Sequence, residues 1–360
     1  SSWKSKGGVM EETKNLTLNE TPLAEEPEKE EALSDRVRVI SPGRMVLKRF
    51  FRSKLSVIGL CLMLFLFLFS FIGPLFTGWE QNEIDRSIRQ VVYSPSQLTD
   101  DCYYVGEVEN TVAKLAPPMS RSEDGRIHIL GTDKDGRDNF TRLMYGGRIS
   151  LTLSLAVVII NTIIGVIIGG LAGYIGKWLD MIVMRIIDVI NCIPTLPILL
   201  IVSAILDAYK DVIDPQYNIY IMMGILTLLS WTGIARLVRG QILFLREQEY
   251  MLAAEAGGFS TGRKVFRHLI PNIIPQLIVS MTLSLGSMIL YESTLAYLGL
   301  GVPAPNASWG RMVNLAKDPE ILANYINVWA PPGLCIILAV LGFNFVGDGL
   351  RDAFDPKMKR

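Results

Sequence analysis

Two stretches of this 360-residue chain carry residue types at spacings that do chemistry elsewhere. "GGFSTGRK", from Gly257, approaches the pattern G-x-x-x-x-G-K-[ST], whose backbone N–H groups cradle phosphates while its lysine and hydroxyl serve phosphate and magnesium. Here Arg263 stands in the lysine position, Lys264 in the hydroxyl position, and no buried strand precedes the loop, so nucleotide binding is not expected. "DKDGRD" offers Asp133, Asp135 and Asp138 to a cation. A calcium loop, however, needs a third acid at position five, glycine at six and glutamate at twelve; Gly136 is fourth and no glutamate follows at twelve. His128 and His268 have no serine, cysteine or metal-ligand constellation around them. Of the four cysteines, Cys61, Cys192 and Cys335 fall in apolar runs and Cys102 stands apart, so neither a disulfide framework nor metal-ligand spacing is present. The chain is expected to be no enzyme and to hold no cofactor or metal of its own.

The elements that position these residues belong to a membrane protein. Half the residues are hydrophobic, 19% are charged, and the mean hydropathy is +0.33, too apolar for a soluble domain of this length. A span needs about 20 apolar residues, and that ruler predicts six, at 55–76, 149–174, 181–206, 219–237, 273–298 and 328–345. The net charge of zero gives no reason to expect nucleic acid. Its distribution is more telling. Basic residues gather in "RVRVISPGRMVLKRFFRSK", in 238–272 and in "RDAFDPKMKR", whereas "DAYKDVIDPQYN" is acidic. By the positive-inside rule both termini and 238–272 are cytoplasmic, and 77–148 is extracytoplasmic.

The fold class is therefore an all-α integral membrane protein with six transmembrane helices and a small extracytoplasmic insertion between the first two. Residues 1–35 form an acidic cytoplasmic tail too polar to fold, 36–76 a basic segment with the first span, 77–148 the outer segment, and 149–360 a five-helix core. The residues before Met10 read as an expression scar, and the first apolar run as an uncleaved anchor. In the outer segment "RIHIL" alternates like a short strand, and Asp138 caps a short amphipathic helix with Phe140, Leu143 and Met144 on its apolar side. Residues 85–125 are expected to form a cap over the mouth of a pathway or against an extracytoplasmic partner.

Several polar or small residues fall inside spans. Gly165, Gly169 and Gly173 share one helical face and permit a close helix contact. Arg185 and Asp188, three apart, form either a structural pair with each other or a gating element. Glu292 must face protein or water; it either touches a transported solute or, as the better fit, caps a polar network at a partner interface.

"EYMLAAEAGGFSTGRKVFRHLIPN" interrupts the apolar runs on the cytoplasmic side. Tyr250, Ala253, Ala254 and Gly257 follow i, i+3, i+4, i+7 spacing and give a helix face almost bare of side chains. Gly258 permits a sharp turn, Ser260 caps a second helix striped by Val265, Phe266, Leu269 and Ile270, and Pro271 and Pro275 stand where the next span begins. A bare face suits a partner protein's groove better than a lipid surface.

This run resembles the coupling loop, or EAA motif, of bacterial ABC importer permeases. The pattern E-A-A-x3-G-x9-I-x-L-P falls on Leu252, Ala253, Ala254, Gly258, His268, Ile270 and Pro271, departing at Leu252, His268 and Ile270. "LGTDKDGRDNFTRLMYGGRISL", "LAYLGLGVPAPNASWGRMV" and "GFNFVGDGLRDAFDP" look like the C-type permease of dipeptide, oligopeptide and nickel importers. The resemblance covers most of 40–360 apart from about 77–127. It implies a type I ABC importer permease fold in a bacterial plasma membrane, a heterodimer with a B-type permease, two ABC ATPase subunits that bind the ATP and magnesium, an extracytoplasmic binding protein, and alternating access for peptides, with nickel or another small solute as the alternative. On this basis Tyr250, Ala253, Ala254, Gly257, Gly258 and Pro271 couple to the ATPases. Asp133, Gly136, Arg137, Asp138, Glu292 and Trp309 face the binding protein or the pathway. A secondary transporter, which would need internal repeats, and a membrane signalling component are the readings from other classes.

Overall fold

A computed structural model describes residues 42–86, 114–214 and 217–355. The acidic tail, Cys102 with its surrounding stretch, and the last five residues lie outside the described residues. The chain divides into units 1–45 and 46–360, and the account below concerns the second. Helix α1 (Pro42–Arg52) leads into it and buries Phe50 against Val346 and Ala353.

Helix α2 (Lys54–Phe71) is the first candidate span, its first turn capped by Ser53. The next is α3 (Asn139–Ile175), whose 37 residues make about 55 Å of helix, far more than the roughly 30 Å of hydrocarbon. The short helix and second span expected from sequence are thus one rod. Asp138 does cap it, accepting from the Thr141 N–H at 2.7 Å, but nothing terminates it before Gly176. Gly146 and Gly147 stay helical because neighbouring groups occupy the space where their Cβ atoms would be.

The third predicted span is broken. Helices α4 (Lys177–Cys192) and α5 (Thr195–Ala208) meet at 70°. Pro194 offers no N–H to continue the ladder and forces Ile193 into extended backbone (φ −78°, ψ 120°). Helices α6 (Asn218–Ser230) and α7 (Thr232–Arg246) continue through Trp231 as one span reaching Arg246, nine residues past the expected end at 237. Helix α8 (Glu249–Ala256) lies in the segment that interrupts the apolar runs. After it, α9 (Thr261–Lys264), a π-helical turn (Val265–Leu269) and α10 (Ile270–Leu298) form one continuous 38-residue span. Short helices α11 (Trp309–Asn314) and α12 (Pro319–Asn324) precede the last span, α13 (Ile326–Phe354). Among the described residues five helices are long and apolar enough to cross a membrane, and the bent pair α4/α5, taken as one span, makes six.

The α3 glycines do pack within this chain. A Cβ on Gly165 would lie 2.7 Å from Ile234 Cβ, one on Gly173 2.9 Å from the Arg239 carbonyl, and one on Gly169 would overlap the Ala235 carbonyl of α7. Asp180 of α4 and Arg239 join the next helix to α7 with two bonds of 2.7 and 2.6 Å. The expected Arg185–Asp188 pair does not form. Asp188 pairs with Arg236 of α7 at 2.5 Å, and exposed Arg185 makes no ion pair among the described residues, because packing of α4 on α7 outweighs the i,i+3 spacing.

These contacts predict opposite outcomes for adjacent glycines. Gly169→Val should separate α3 from α7 and cost about 1–3 kcal/mol, seen as a lower thermal midpoint of the detergent-purified protein. Gly170→Ala, whose new methyl would meet only Ile242 Cδ1 at 3.7 Å, should leave the midpoint unchanged.

Candidate functional site

The loop around α8 is built from the inside outward. Met251 and Ala254, three apart on α8, are buried, and Met251 packs with Val238 and Ile242 of α7 and with Leu269 and Ile273. Ala254 therefore belongs to the seated face and not to the exposed one expected for it. Tyr250 (40% exposed), Ala253, Gly257 and Gly258 remain at the surface, joined by Leu252 at 57%. Gly258 takes φ +71°, a conformation that strains any residue with a Cβ, and so makes the expected turn. The inward role of Met251 was the part missed; its i,i+3 partnership with Ala254 was the available signal.

Ser260 occupies the N-cap position of α9, although its side chain makes no capping bond. The expected apolar stripe is rotated. In the π turn the Ile270 N–H donates to the Val265 carbonyl, five residues back, and the extra residue swings Phe266 out to 73% exposure while Leu269 stays buried. Pro271 sits in the first turn of α10, where its missing N–H costs little. Phe259 lies between the Arg263 guanidinium, 4.3 Å from its ring centre, and the stacked His268 ring at 6.1 Å. Asn272 Nδ2 donates to the His268 carbonyl at 2.8 Å and to Tyr250 Oη at 3.4 Å, tying the loop's two ends together. The result is a braced tip with a bare patch and one projecting leucine.

On the opposite side, strands β1 (Ser120–Arg121) and β2 (Ile127–His128) pair antiparallel, so "RIHIL" does contain a strand. Its histidine is the hub that sequence reasoning missed. Fully buried His128 lies 2.9 Å from Asp138 Oδ1 through Nδ1 and 3.0 Å from Asp85 Oδ2 through Nε2. Trp79 stacks on it at 4.2 Å, and Arg126, paired with Glu83 at 2.7 Å, covers the outer face of Trp79. Burial works against the imidazolium, but the carboxylates of Asp138 and Asp85 outweigh it and raise the His128 pKa.

The neighbouring turn spends its acids internally. Buried Asp133 accepts from the N–H groups of Asp135 and Arg137 at 2.8 and 2.9 Å and meets Arg142 at 3.3 Å; Gly136 takes φ +80° and its carbonyl accepts from the Asp85 N–H. Asp133, Gly136 and Asp138 are thus framework, and Lys134, Asp135 and partly exposed Arg137 supply the surface. Trp309 is fully buried as well, so an outward contact is not its role. Its indole N–H donates to the Leu143 carbonyl at 2.9 Å and its backbone N–H to Ser150 Oγ at 3.3 Å. Ser150 Oγ in turn donates to Glu292 at 3.0 Å. Buried Glu292 therefore lies neither in an open pathway nor at the surface, but in a network joining α3, α10 and α11 within this chain.

Residues 165–360 match the family described as binding-protein-dependent transport system inner membrane component, and 41–95 match the N-terminal transmembrane domain of oligopeptide transport permease C. The chain is 34% identical over 325 residues to the dipeptide transport system permease protein of Alkalihalophilus pseudofirmus, spanning 90% of this chain and 93% of that one. Against the oligopeptide transport system permease protein of Bacillus subtilis it is 35% identical over 314 residues, 87% and 88% of the two chains. The counterpart from Haemophilus influenzae is 30% identical over 310 residues, 86% and 87%.

The outer hub has a signed pH dependence. A folded pKa above the unfolded value of about 6.5 means that the stabilisation is complete below that pH and is lost as pH rises through the raised folded value. Amide-exchange protection of 115–138, corrected for intrinsic rates, should therefore fall with rising pH, and His128→Gln should flatten the profile.

Proposed function

Because the chain belongs to the family of binding-protein-dependent transport system inner membrane components, we propose that it is the C-type permease subunit of an ATP-driven importer of peptides. It pairs with a B-type permease in a bacterial plasma membrane, each contributing half of the pathway. Two ATPase subunits bind the ATP and magnesium beneath it, and an extracytoplasmic binding protein delivers the peptide from above. The chain itself makes and breaks no bond. Both termini and 238–272 lie in the cytoplasm, in line with the placement of their basic residues.

The observation that carries this reading is the construction of α8. Met251 and Ala254 seat it on α7 and α10, while Ala253, Gly257 and Gly258 leave an outward patch with almost no side-chain bulk. Such a patch lets another backbone approach closely, and the Arg263–Phe259–His268 stack keeps it stiff. A stiff element is what a motion supplied by a partner requires, because a compliant one would absorb the displacement. Exposed Leu252, where the family pattern has glutamate, offers the partner an apolar contact in place of a charged one.

The ATPase pair should therefore be lost from Ala253→Arg, which fills the patch without touching the seated face. Copurification of the ATPases with the tagged permease, and ATP-dependent peptide uptake in proteoliposomes, should both fall by about tenfold or more. Retention of a coupled ATPase pair would sink the assignment. Leu252→Ala should weaken the association by about 1–2 kcal/mol, read as a raised midpoint in ATPase titration.

A further inference from the structure

Between the spans lies a second feature, a half-open cavity of about 510 Å³. It lies where three spans turn polar or break: the middle of α3, the α4/α5 bend and the α6/α7 junction; the middle of α10 closes it. Asn161, Asn191, Ser230, Thr232, Ser284 and Ser287 supply its polar surface, with Leu226, Leu283 and Met288 between them. Among the described residues lining it there is no Asp, Glu, Lys or Arg.

Polar side chains inside a bilayer have to be satisfied, and most of these satisfy themselves. Thr162 and Ser230 donate back to the carbonyls four residues earlier, Asn161 Nδ2 donates to Ser230 Oγ at 3.0 Å, and Thr232 Oγ1 donates to Asn191 Oδ1 at 2.9 Å. Two lining atoms are left over, Asn161 Oδ1 and Tyr291 Oη. Asn161 is buried, yet its Oδ1 accepts from no donor. Back-bonded hydroxyls keep free lone pairs, so with Asn161 Oδ1 the wall presents neutral acceptors, and the Asn191 amide and the Tyr291 hydroxyl add neutral donors. A matching guest carries neutral N–H and C=O groups spaced along a chain, as a peptide backbone does.

The absent charges matter equally. A fixed carboxylate or guanidinium in this low-dielectric wall would hold solutes of opposite charge and repel those of like charge. Passage requires attraction weak enough to release the solute. Resting on the reading of the chain as a peptide permease, we infer that this cavity is a transit site that takes the peptide backbone through neutral hydrogen bonds, and that its uncharged wall makes transport indifferent to side-chain charge.

The experiment uses the complete transporter, with its binding protein, in proteoliposomes. Uptake is measured for trialanine and for tripeptides with a central glutamate or lysine. Wild type should carry all three at rates within about threefold once each is normalised to binding-protein occupancy. Ser287→Asp, on the cavity surface, should depress the glutamate peptide at least tenfold relative to trialanine without changing binding-protein affinity, whereas Ser287→Asn should keep the wild-type ratio. Ser284→Asp takes the place of Ser287→Asp if that variant does not assemble. Asn161→Leu, which removes the free acceptor, should slow all three peptides alike. If wild type transports the peptides and the aspartate variants leave their ratio unchanged, the cavity assignment is overturned and the permease reading stands. If wild type carries none of them, the peptide reading falls first.

Discussion

Trp309 and Glu292 set the constraint on which the rest of the molecule depends. A carboxyl group and an indole N–H, both buried within the described fold, are costly without partners, and the bonds that join them here reach across helices. The indole donates to α3, the backbone N–H of Trp309 reaches Ser150 on the same helix, and Ser150 passes the chain of bonds to Glu292 on α10. Around this line the apolar core draws in Leu66 of α2, Leu151 of α3, Ile289 of α10 and Phe343 of α13. Directional bonds fix which turns of α3 and α10 face each other, and the apolar contacts then add attraction without having to choose a register.

From that fixed point α3 runs both ways. Its first turn is held by Asp138, which also faces His128, so the outer strands and the helix start share one carboxylate. Its inner half lies against α7 with no side chain between the backbones at Gly169, and α7 in turn seats α8 through Met251. The Asp138 turn, the α3 rod, the glycine contact and the α8 loop are therefore consecutive packed neighbours. Such continuity makes transmission of a displacement physically reasonable; a coupling free energy is a separate measurement.

What could be read from the chain divides by the range of the interaction involved. The apolar runs gave the spans, because burial in lipid depends on composition over about 20 residues. The Gly258 turn, the Asp138 cap and the α3 glycine face came from local chemistry or helical period. Asp188 was assigned to Arg185 because they are near in sequence, whereas its real partner, Arg236, is 48 residues away. The family resemblance gives Glu292, Trp309, Asp133 and Asp138 contacts with the binding protein or the pathway, whereas each closes an internal bond here. A polar residue that closes an internal network looks, in one dimension, the same as one that waits for a partner. The run 181–206 reads as one span from its apolarity alone, whereas the 70° bend within it follows from Pro194, which breaks the helical ladder there.

The π turn before Pro271 shows how one local irregularity serves both sides of the loop. Proline cannot donate to the carbonyl four residues back, so an ordinary α-helical register would leave a gap in the ladder at this point. Widening the turn at Val265–Leu269 places the irregular register just before that gap and rotates the helix surface by one residue. Leu269 then meets Met251 and holds α8 down, while Phe266 turns to the outside next to the loop tip. An unbroken α-helix would have carried Phe266 toward the stripe with Leu269 and Ile270. The exposed surface of the loop thus combines the bare patch at Ala253, Gly257 and Gly258 with the Phe266 side chain that the π turn carries outward.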